Sequence, residues 1–260
     1  MNGVKTSIVI PVYNNFQYTE LAIESIRKHT KDFELIVVDN CSIDETEILR
    51  SDKDLTYVRN SENLGFAKAC NIGANKANGE FILFLNNDVV VTPNWLEKML
   101  KHYRYFPNLG ITGCKTNYIS GYQQEGNEFA FGIDHPLLEN FVNHKAELMS
   151  KEYFNRIRIF PRITGFCMLM KRELFIEVDG FDERYGLGNF EDDDICVKVE
   201  RTGCKNAVID DVWIYHFGSK TFEILGKNNV YFINNLCFEN EKKFKEKWGF
   251  EKDEWWEEYL

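Results

Sequence analysis

No run in this 260-residue chain approaches the 18 apolar residues of a membrane span, and the apolar stretch near its N-terminus is too short for the hydrophobic region of a signal peptide. A cytoplasmic protein is expected. C-x-x-C pairs are absent, and the seven cysteines, at 41, 70, 114, 167, 196, 204 and 237, are odd in number and scattered. Neither a disulfide framework nor a zinc site is indicated, so most of them read as small core residues. Basic charge is in deficit, with 31 Lys and Arg against 41 Asp and Glu and a net charge of -10. Without a Lys/Arg cluster this argues against nucleic acid as a partner. The first strand is followed by Val12-Tyr13-Asn14-Asn15 in place of G-x-G-x-x-G, which excludes a dinucleotide-dependent oxidoreductase of the Rossmann type. Internal repeats and low-complexity linkers are also missing.

What the chain does have is apolar sequence in short bursts. With 44% hydrophobic and 15% aromatic residues it can bury a large core, and its length suits one domain with elaborations. The organising stretch is Gly79-Glu-Phe-Ile-Leu-Phe-Leu-Asn-Asn-Asp88-Val-Val-Val91. Its unbroken apolar run predicts a strand buried on both faces, with a polar tip that emerges at a sheet edge. In open α/β sheets ligands bind beyond the carboxyl ends of the strands, which makes Asn86, Asn87 and Asp88 candidate ligand contacts. The competing reading is a simple Asn-Asn-Asp turn.

Around that stretch, strand and helix signals alternate. Ser7 to Val12 predicts a buried strand, and Tyr18, Leu21, Ala22, Ser25 and Ile26 fall on one helical stripe. Leu35 to Val38 predicts a second strand ending at Asp39-Asn40, and Ser42 with Glu45 has the spacing of a capping box for the next helix. Leu55 to Val58 predicts a third strand, and Phe66 to Ala77 a helix stopped by Gly79. Thr92-Pro93 reads as the N-cap and first residue of a helix reaching Pro107. This order predicts βαβ units on a largely parallel sheet. From about Lys115 to Arg162 the regularity fails, which means either functional loops or structure that the pattern hides. Gly165 to Met170 predicts a strand, and a short helix then ends near Gly180. After Gly186-Leu-Gly188, Glu191-Asp-Asp-Asp194 opens a helix that runs to Gly203. Val212 to His216 reads as an alternating strand, and Val230 to Trp248 as a C-terminal helix. The acidic, aromatic tail from Asp253 to Leu260 is expected to form a packed terminal helix or a docking segment.

Seven segments carry a resemblance: Ser7 to Asn14, Val38 to Asn40, Asn63 to Ala67, Leu85 to Asp88, Thr164 to Leu174, Gly180 to Glu183 and Glu191 to Asp194. In order and spacing they resemble the inverting family 2 glycosyltransferases of the GT-A fold, nearest in flavour to rhamnosyl-type transferases, over about residues 5–220. The resemblance implies an α/β fold with a Rossmann-like, mostly parallel central sheet flanked by helices. It divides the chain into a domain of residues 1–220 and a C-terminal helical extension, 221–260. Within the domain, residues 1–114 would bind nucleotide and 115–220 the acceptor. The implied activity is metal-dependent, inverting transfer of one hexosyl or deoxyhexosyl unit from a UDP- or dTDP-sugar to an acceptor hydroxyl in glycan assembly. Polysaccharide, lipid-linked and protein acceptors all remain open, as do homo-oligomerisation and peripheral association with the inner face of the membrane. A processive synthase would need transmembrane helices and a Q-x-x-R-W motif, and both are absent. The alternative is a catalytically inactive carbohydrate- or nucleotide-binding protein on the same fold, because Asn86 stands where the family usually has Asp.

By resemblance, Asp88 and His216 hold Mn2+ or Mg2+, and a hard cation held by one carboxylate plus substrate phosphates is chemically adequate. A His on a partly polar strand can equally be a satisfied structural residue. Pro11, Tyr13, Asp39, Asn63, Gly65, Asn86 and Asn87 are the implied donor contacts. Asp39 would accept the N3 proton of uracil or thymine, or else serve only as a turn cap. Lys68 reads as a solvated helix residue. Asp192 is the implied catalytic base, with Gly165 and Glu191 at the acceptor and Asp194 bracing the loop. Asp193 reads as a first-turn acid on an exposed face, and mutual repulsion of the four carboxylates is expected to raise their pKa values.

Overall fold

A computed structural model describes residues 5–126, 131–218, 220, 230–250 and 255. Strands β1 (Thr6–Val12), β2 (Phe33–Asp39), β3 (Thr56–Arg59) and β4 (Phe81–Leu85) pair in parallel. Strands β6 (Leu109–Thr116) and β9 (Lys205–His216) run the same way. Strands β5 (Val89–Val90), β7 (Ile157–Ile159) and β8 (Cys167–Lys171) run against them. Together they form one mixed sheet in the order β3-β2-β1-β4-β8-β6-β9-β5, with β7 also on β9. The sheet is flanked by helices α1 (Phe16–His29), α2 (Phe66–Ala74), α3 (Trp95–His102), α4 (Leu138–Glu152), α5 (Arg172–Glu177), α6 (Glu191–Arg201) and α7 (Val230–Trp248).

The unalternating strands are buried on both faces, as their composition requires. Ile8, Ile10 and Val12 face one core cluster with Ala22 and Ile26 of α1 and Trp95 and Met99 of α3. Val9, Ile82 and Phe84 face the other with Ala69 and Cys70 of α2 and Ile195 and Val199 of α6. Because β1, β2, β4 and β9 share one direction, their C-terminal ends meet at one edge. Strand β8 starts at that edge, where Cys167 pairs with Leu85. Among the described residues no helix is long and apolar enough to cross a membrane.

Several local expectations are corrected. The Ser42–Glu45 capping box does not form. Asp44 caps a 3-10 helix, Glu45–Ser51, by accepting from Thr46 N–H, while the Ser42 hydroxyl accepts from Asn14 N–H. Thr92 is not an N-cap either, since its hydroxyl donates to the Trp213 carbonyl and α3 begins after Asn94. The region from 115 to 162 is partly regular. Leu138, Val142, Ala146 and Met149 of α4 pack on Trp213 and Tyr215, and β7 adds a short edge strand. Strand β6, broken up by two glycines, has no strand signal of its own. The expected docking or helical role of the tail lies outside the described residues, apart from Trp255, which is buried against Phe244 and Phe250.

The join between β6 and β8 is thin, with a single registered pair, Thr112 and Leu169. The buried Tyr103 hydroxyl spans it, lying 2.8 Å from the Gly110 carbonyl of β6 and 2.7 Å from the Leu169 carbonyl of β8. Tyr103→Phe leaves those carbonyls short of a donor. It is predicted to cost about 1–3 kcal/mol in urea denaturation with an unchanged m-value. A loss below ~0.5 kcal/mol would mean that the hydroxyl does not hold the two halves of the sheet together.

Candidate active site

Asp88 and His216 meet because two very short strands pair. Val89 of β5 is registered with His216 at the end of β9, and Phe217 N–H donates to the Asp88 carbonyl at 2.9 Å. His216 Nε2 then lies 3.2 Å from Asp88 Oδ1 and 3.3 Å from the Asn86 amide nitrogen. The other ring nitrogen, Nδ1, sits 2.7 Å from the Tyr118 carbonyl. Only an N–H can donate to a carbonyl, so Nδ1 carries a proton and Nε2 is the atom offered to Asp88. Asn117 holds the backbone of the same residue, accepting from His216 N–H at 2.9 Å and donating to its carbonyl at 3.1 Å. The Phe166 ring stacks on the imidazole at 5.3 Å.

A neutral imidazole and a carboxylate facing each other in a buried site repel unless a proton or a cation lies between them. Burial pushes the His216 imidazole down, but the Asp88 carboxylate and the Tyr118 carbonyl outweigh it and hold the ring above its usual value. Burial likewise pushes Asp88 up, and His216 outweighs it and holds the carboxyl low. Two ligands at right angles on one small divalent ion, each ~2.1 Å away, lie ~3 Å apart. The observed 3.2 Å separation fits such a pair. An Nδ1–H donated to a backbone carbonyl is also the usual outer support of a metal-bound histidine. Among the described residues no group of three His, Cys, Asp or Glu side chains gathers for an ion. Asp88 and His216 could therefore hold one only with oxygen ligands from a substrate and water.

The second cluster stands at the start of α6. The Gly165 N–H donates to Asp192 Oδ2 at 2.8 Å, and the Asp193 N–H donates to Oδ1 at 2.9 Å. Gly165 adjoins Phe166, so neighbouring residues touch the two clusters. Burial, then the charge of Asp193, pushes the Asp192 carboxyl up to about 6, against the opposing pull of Arg162 and the two N–H groups. The expected rise is present, but burial rather than mutual repulsion is its first cause. Asp193 is not on an exposed face. It is buried and accepts from Arg162 Nε at 2.8 Å and Trp255 Nε1 at 2.7 Å. Asp194 is fully buried, accepting from Tyr185 at 3.0 Å, Trp248 at 2.8 Å and Lys247 at 2.9 Å. Glu191 is also buried, with no hydrogen-bond partner at Oε2 among the described residues. Burial and its acidic neighbours hold the Glu191 carboxyl well above the usual range. It is within electrostatic reach of the Cys70 thiol of α2.

At the C-terminal end of β1, Pro11 is buried within the strand and Tyr13 is half-buried just beyond it. Asp39 is fully buried and largely committed. It accepts from Ser42 N–H at 2.8 Å, from Tyr57 at 2.5 Å and from Arg59. A carboxylate offers about four acceptor positions, so one remains. The Asn63 side chain accepts from Gly65 N–H at 3.0 Å. Gly65 has φ +82°, and a Cβ there would lie 1.9 Å from the Gly186 carbonyl oxygen. Only glycine lets this turn pack on the loop that leads to Asp192. Asn87 is buried, with its amide donating to the Thr19 hydroxyl at 2.9 Å. Lys68 is half-exposed and lies 3.8 Å from Glu183. Asn117, Tyr118 and Arg162 went unnoticed because they lie in the stretch without periodicity, where only the tertiary fold reveals a role.

The glycosyl transferase family 2 pattern matches residues 7–179. A glycosyltransferase of Haemophilus influenzae is 28% identical over 195 residues, covering 74% of this chain and 61% of its own length. The O-antigen biosynthesis protein RfbC of Myxococcus xanthus is 27% identical, over 70% of this chain and 15% of its own. The chain thus spans less than two thirds of these curated relatives. Among solved structures, GalNAc-T7 with UDP, GalNAc and Mn2+ is similar with a TM-score of 0.63 at 19% identity, over 82% of this chain and 43% of that one. The mannosyltransferase PcManGT of Pyrobaculum calidifontis, in complex with GDP-Man and Mn2+, has a TM-score of 0.60 at 21% identity, over 83% and 57%. TarS of S. aureus with UDP-GlcNAc has a TM-score of 0.58 at 19% identity, over 93% and 71%. The fold is GT-A.

The raised Asp192 carboxyl has a sign that can be tested. Its folded pKa of about 6 exceeds the ordinary value of 3.8, so its contribution to stability is full below that ordinary range and is lost as pH rises through about 6. Asp192→Asn removes the charge and keeps an acceptor for one of the two N–H groups, which donate to different oxygens of the carboxylate. It is predicted to be more stable than wild type by about 1–3 kcal/mol at pH 8 and no more stable at pH 4. Urea unfolding at both values checks this, and equal stability at pH 8 would show that ionised Asp192 carries no penalty.

Proposed function

The chain belongs to glycosyl transferase family 2, and on that premise we propose that it moves one hexosyl or deoxyhexosyl unit from a UDP- or dTDP-sugar to an acceptor hydroxyl, with inversion, in glycan assembly. The observation that carries this reading is the raised, half-buried Asp192 carboxylate, held by Gly165 one residue from the ring that stacks on His216. In the proposed step the Asp192 carboxylate accepts the proton of the acceptor hydroxyl. The acceptor oxygen bonds to the anomeric carbon as the bond to the diphosphate oxygen breaks, and the nucleoside diphosphate leaves with that electron pair. Asp88 and His216 would hold Mn2+ or Mg2+, which when bound neutralises charge developing on the diphosphate.

Tyr13 and Pro11 would face the base, with the remaining acceptor position of Asp39 for a uracil or thymine N–H. Gly65 would admit the backbone close to the diphosphate, while residues 115–220 carry the acceptor side. The relatives support a role in glycan assembly, since one is an O-antigen biosynthesis protein. Asn86 leaves Asp88 as the carboxylate in hydrogen-bond range of His216, a feature that an inactive nucleotide-binding relative would share. Release of nucleoside diphosphate from donor plus acceptor separates the two readings.

A base works only when ionised, so the rate is expected to fall as pH drops below about 6. Asp192→Asn should lower turnover by at least the roughly 10²–10⁴-fold of general base catalysis while keeping the thermal stabilisation given by UDP with Mn2+. Full turnover in that variant would move the base elsewhere. Asp88→Ala is expected to abolish the stabilisation by UDP with Mn2+. If the stabilisation survives, the cation is not held at Asp88.

A further inference from the structure

Helix α6 lacks a side-chain cap of its own and begins after two consecutive left-handed residues, Asn189 at φ 74° and Phe190 at φ 73°. For a bulky residue such as phenylalanine that conformation costs on the order of 1–3 kcal/mol and persists only where neighbours enforce it. The enforcing group comes from 50 residues downstream in the sequence, on α7. Fully buried Asn240 directs its amide nitrogen at three carbonyls of the preceding loop, those of Tyr185 at 2.7 Å, Gly188 at 2.8 Å and Asn189 at 3.2 Å. Its own carbonyl oxygen accepts from Lys243 at 2.9 Å, and Lys243 also donates to the Arg184 carbonyl at 3.0 Å. The opposite side of the loop rests on Gly65, so the segment is held between α7 and the turn at Gly65.

We propose that Asn240 is a positioning residue for transfer: it fixes the loop from Tyr185 to Phe190, and through it the direction in which α6 presents Asp192. This rests on the reading of Asp192 as the base. It assigns α7, which lies beyond the residues matched to the family, a part in catalytic geometry rather than in packing alone. The specificity lies in the amide. An aspartate of the same shape would turn acceptor oxygens toward three carbonyls and lose every one of these bonds.

The test compares Asn240→Ala and Asn240→Asp with Phe244→Leu, which alters the ring packed on Phe190 one turn further along α7 and leaves the amide in place, and so separates loop packing from the amide bonds. Hydrogen exchange read by mass spectrometry is expected to accelerate at least tenfold in both Asn240 variants across residues 185–194 and to stay unchanged across β4. Turnover of the fastest UDP-sugar in a panel, measured as UDP release, should fall at least tenfold in kcat, with the affinity for UDP plus Mn2+ within twofold of wild type. Unchanged exchange or unchanged kcat in Asn240→Ala overturns the proposal. So does Phe244→Leu producing the same changes at a matched loss of thermal stability. If Asp192→Asn is inactive while Asn240→Ala turns over normally, only this inference fails. Normal turnover in Asp192→Asn removes the base reading itself.

Discussion

The pairing of Val89 and Val90 with His216 and Tyr215 is two residues long, and the candidate site depends on it. Without it Asp88 would end a strand facing solvent. With it, a carboxylate and an imidazole far apart in the sequence are held 3.2 Å apart in a buried place. The surrounding bonds serve that contact. Asn117 clamps the backbone of His216, Tyr118 sets its tautomer, Phe166 covers its ring and Asn87 anchors the turn to α1. Each group holds the other in its charged form, the imidazole above and the carboxyl below its usual value, so a cation bound between them would have to displace the proton they share.

The acidic cluster follows the same logic with a different outcome. Four consecutive carboxylates open α6, yet the protein treats them separately. Asp193 and Asp194 are matched with Arg162, Lys247 and two indole N–H groups, and so hold the helix in place. Asp192 receives only two backbone N–H groups against its burial and is left poised near 6. On the proposed function, stability is given up where a base that titrates near physiological pH is useful.

Much of this was legible in the sequence, for identifiable reasons. Strands β1, β2 and β4 are buried on both faces and therefore apolar without interruption, and their polar ends mark the edge where the candidate site lies. Strand β6 was not legible, because glycines at 110 and 113 answer to close neighbours, Val199 with Asn206 and Gln123 with Ile163, rather than to strand propensity. Helix α4 was hidden because its stripe is narrow, only Leu138, Val142, Ala146 and Met149 being buried, and it is held by the aromatic side chains of β9. The acids at 191–194 could be counted but not told apart. Their roles are set by Arg162, Lys247, Trp248 and Trp255, which are close only in the fold. Asn240 had no local signal at all, since its three partners lie 51 to 55 residues away.

The central claim is that one cleft joins a cation-and-diphosphate pole at Asp88 and His216 to a base at Asp192. Anomalous diffraction from crystals grown with UDP and Mn2+ tests it most directly. The account predicts a single strong manganese peak bonded to Asp88 and His216 Nε2 and to the diphosphate of UDP, with Asp192 facing the open side of the cleft and free of metal. Manganese bound at the cluster of residues 191–194, or UDP bound with no ion between its phosphates and Asp88, would contradict it.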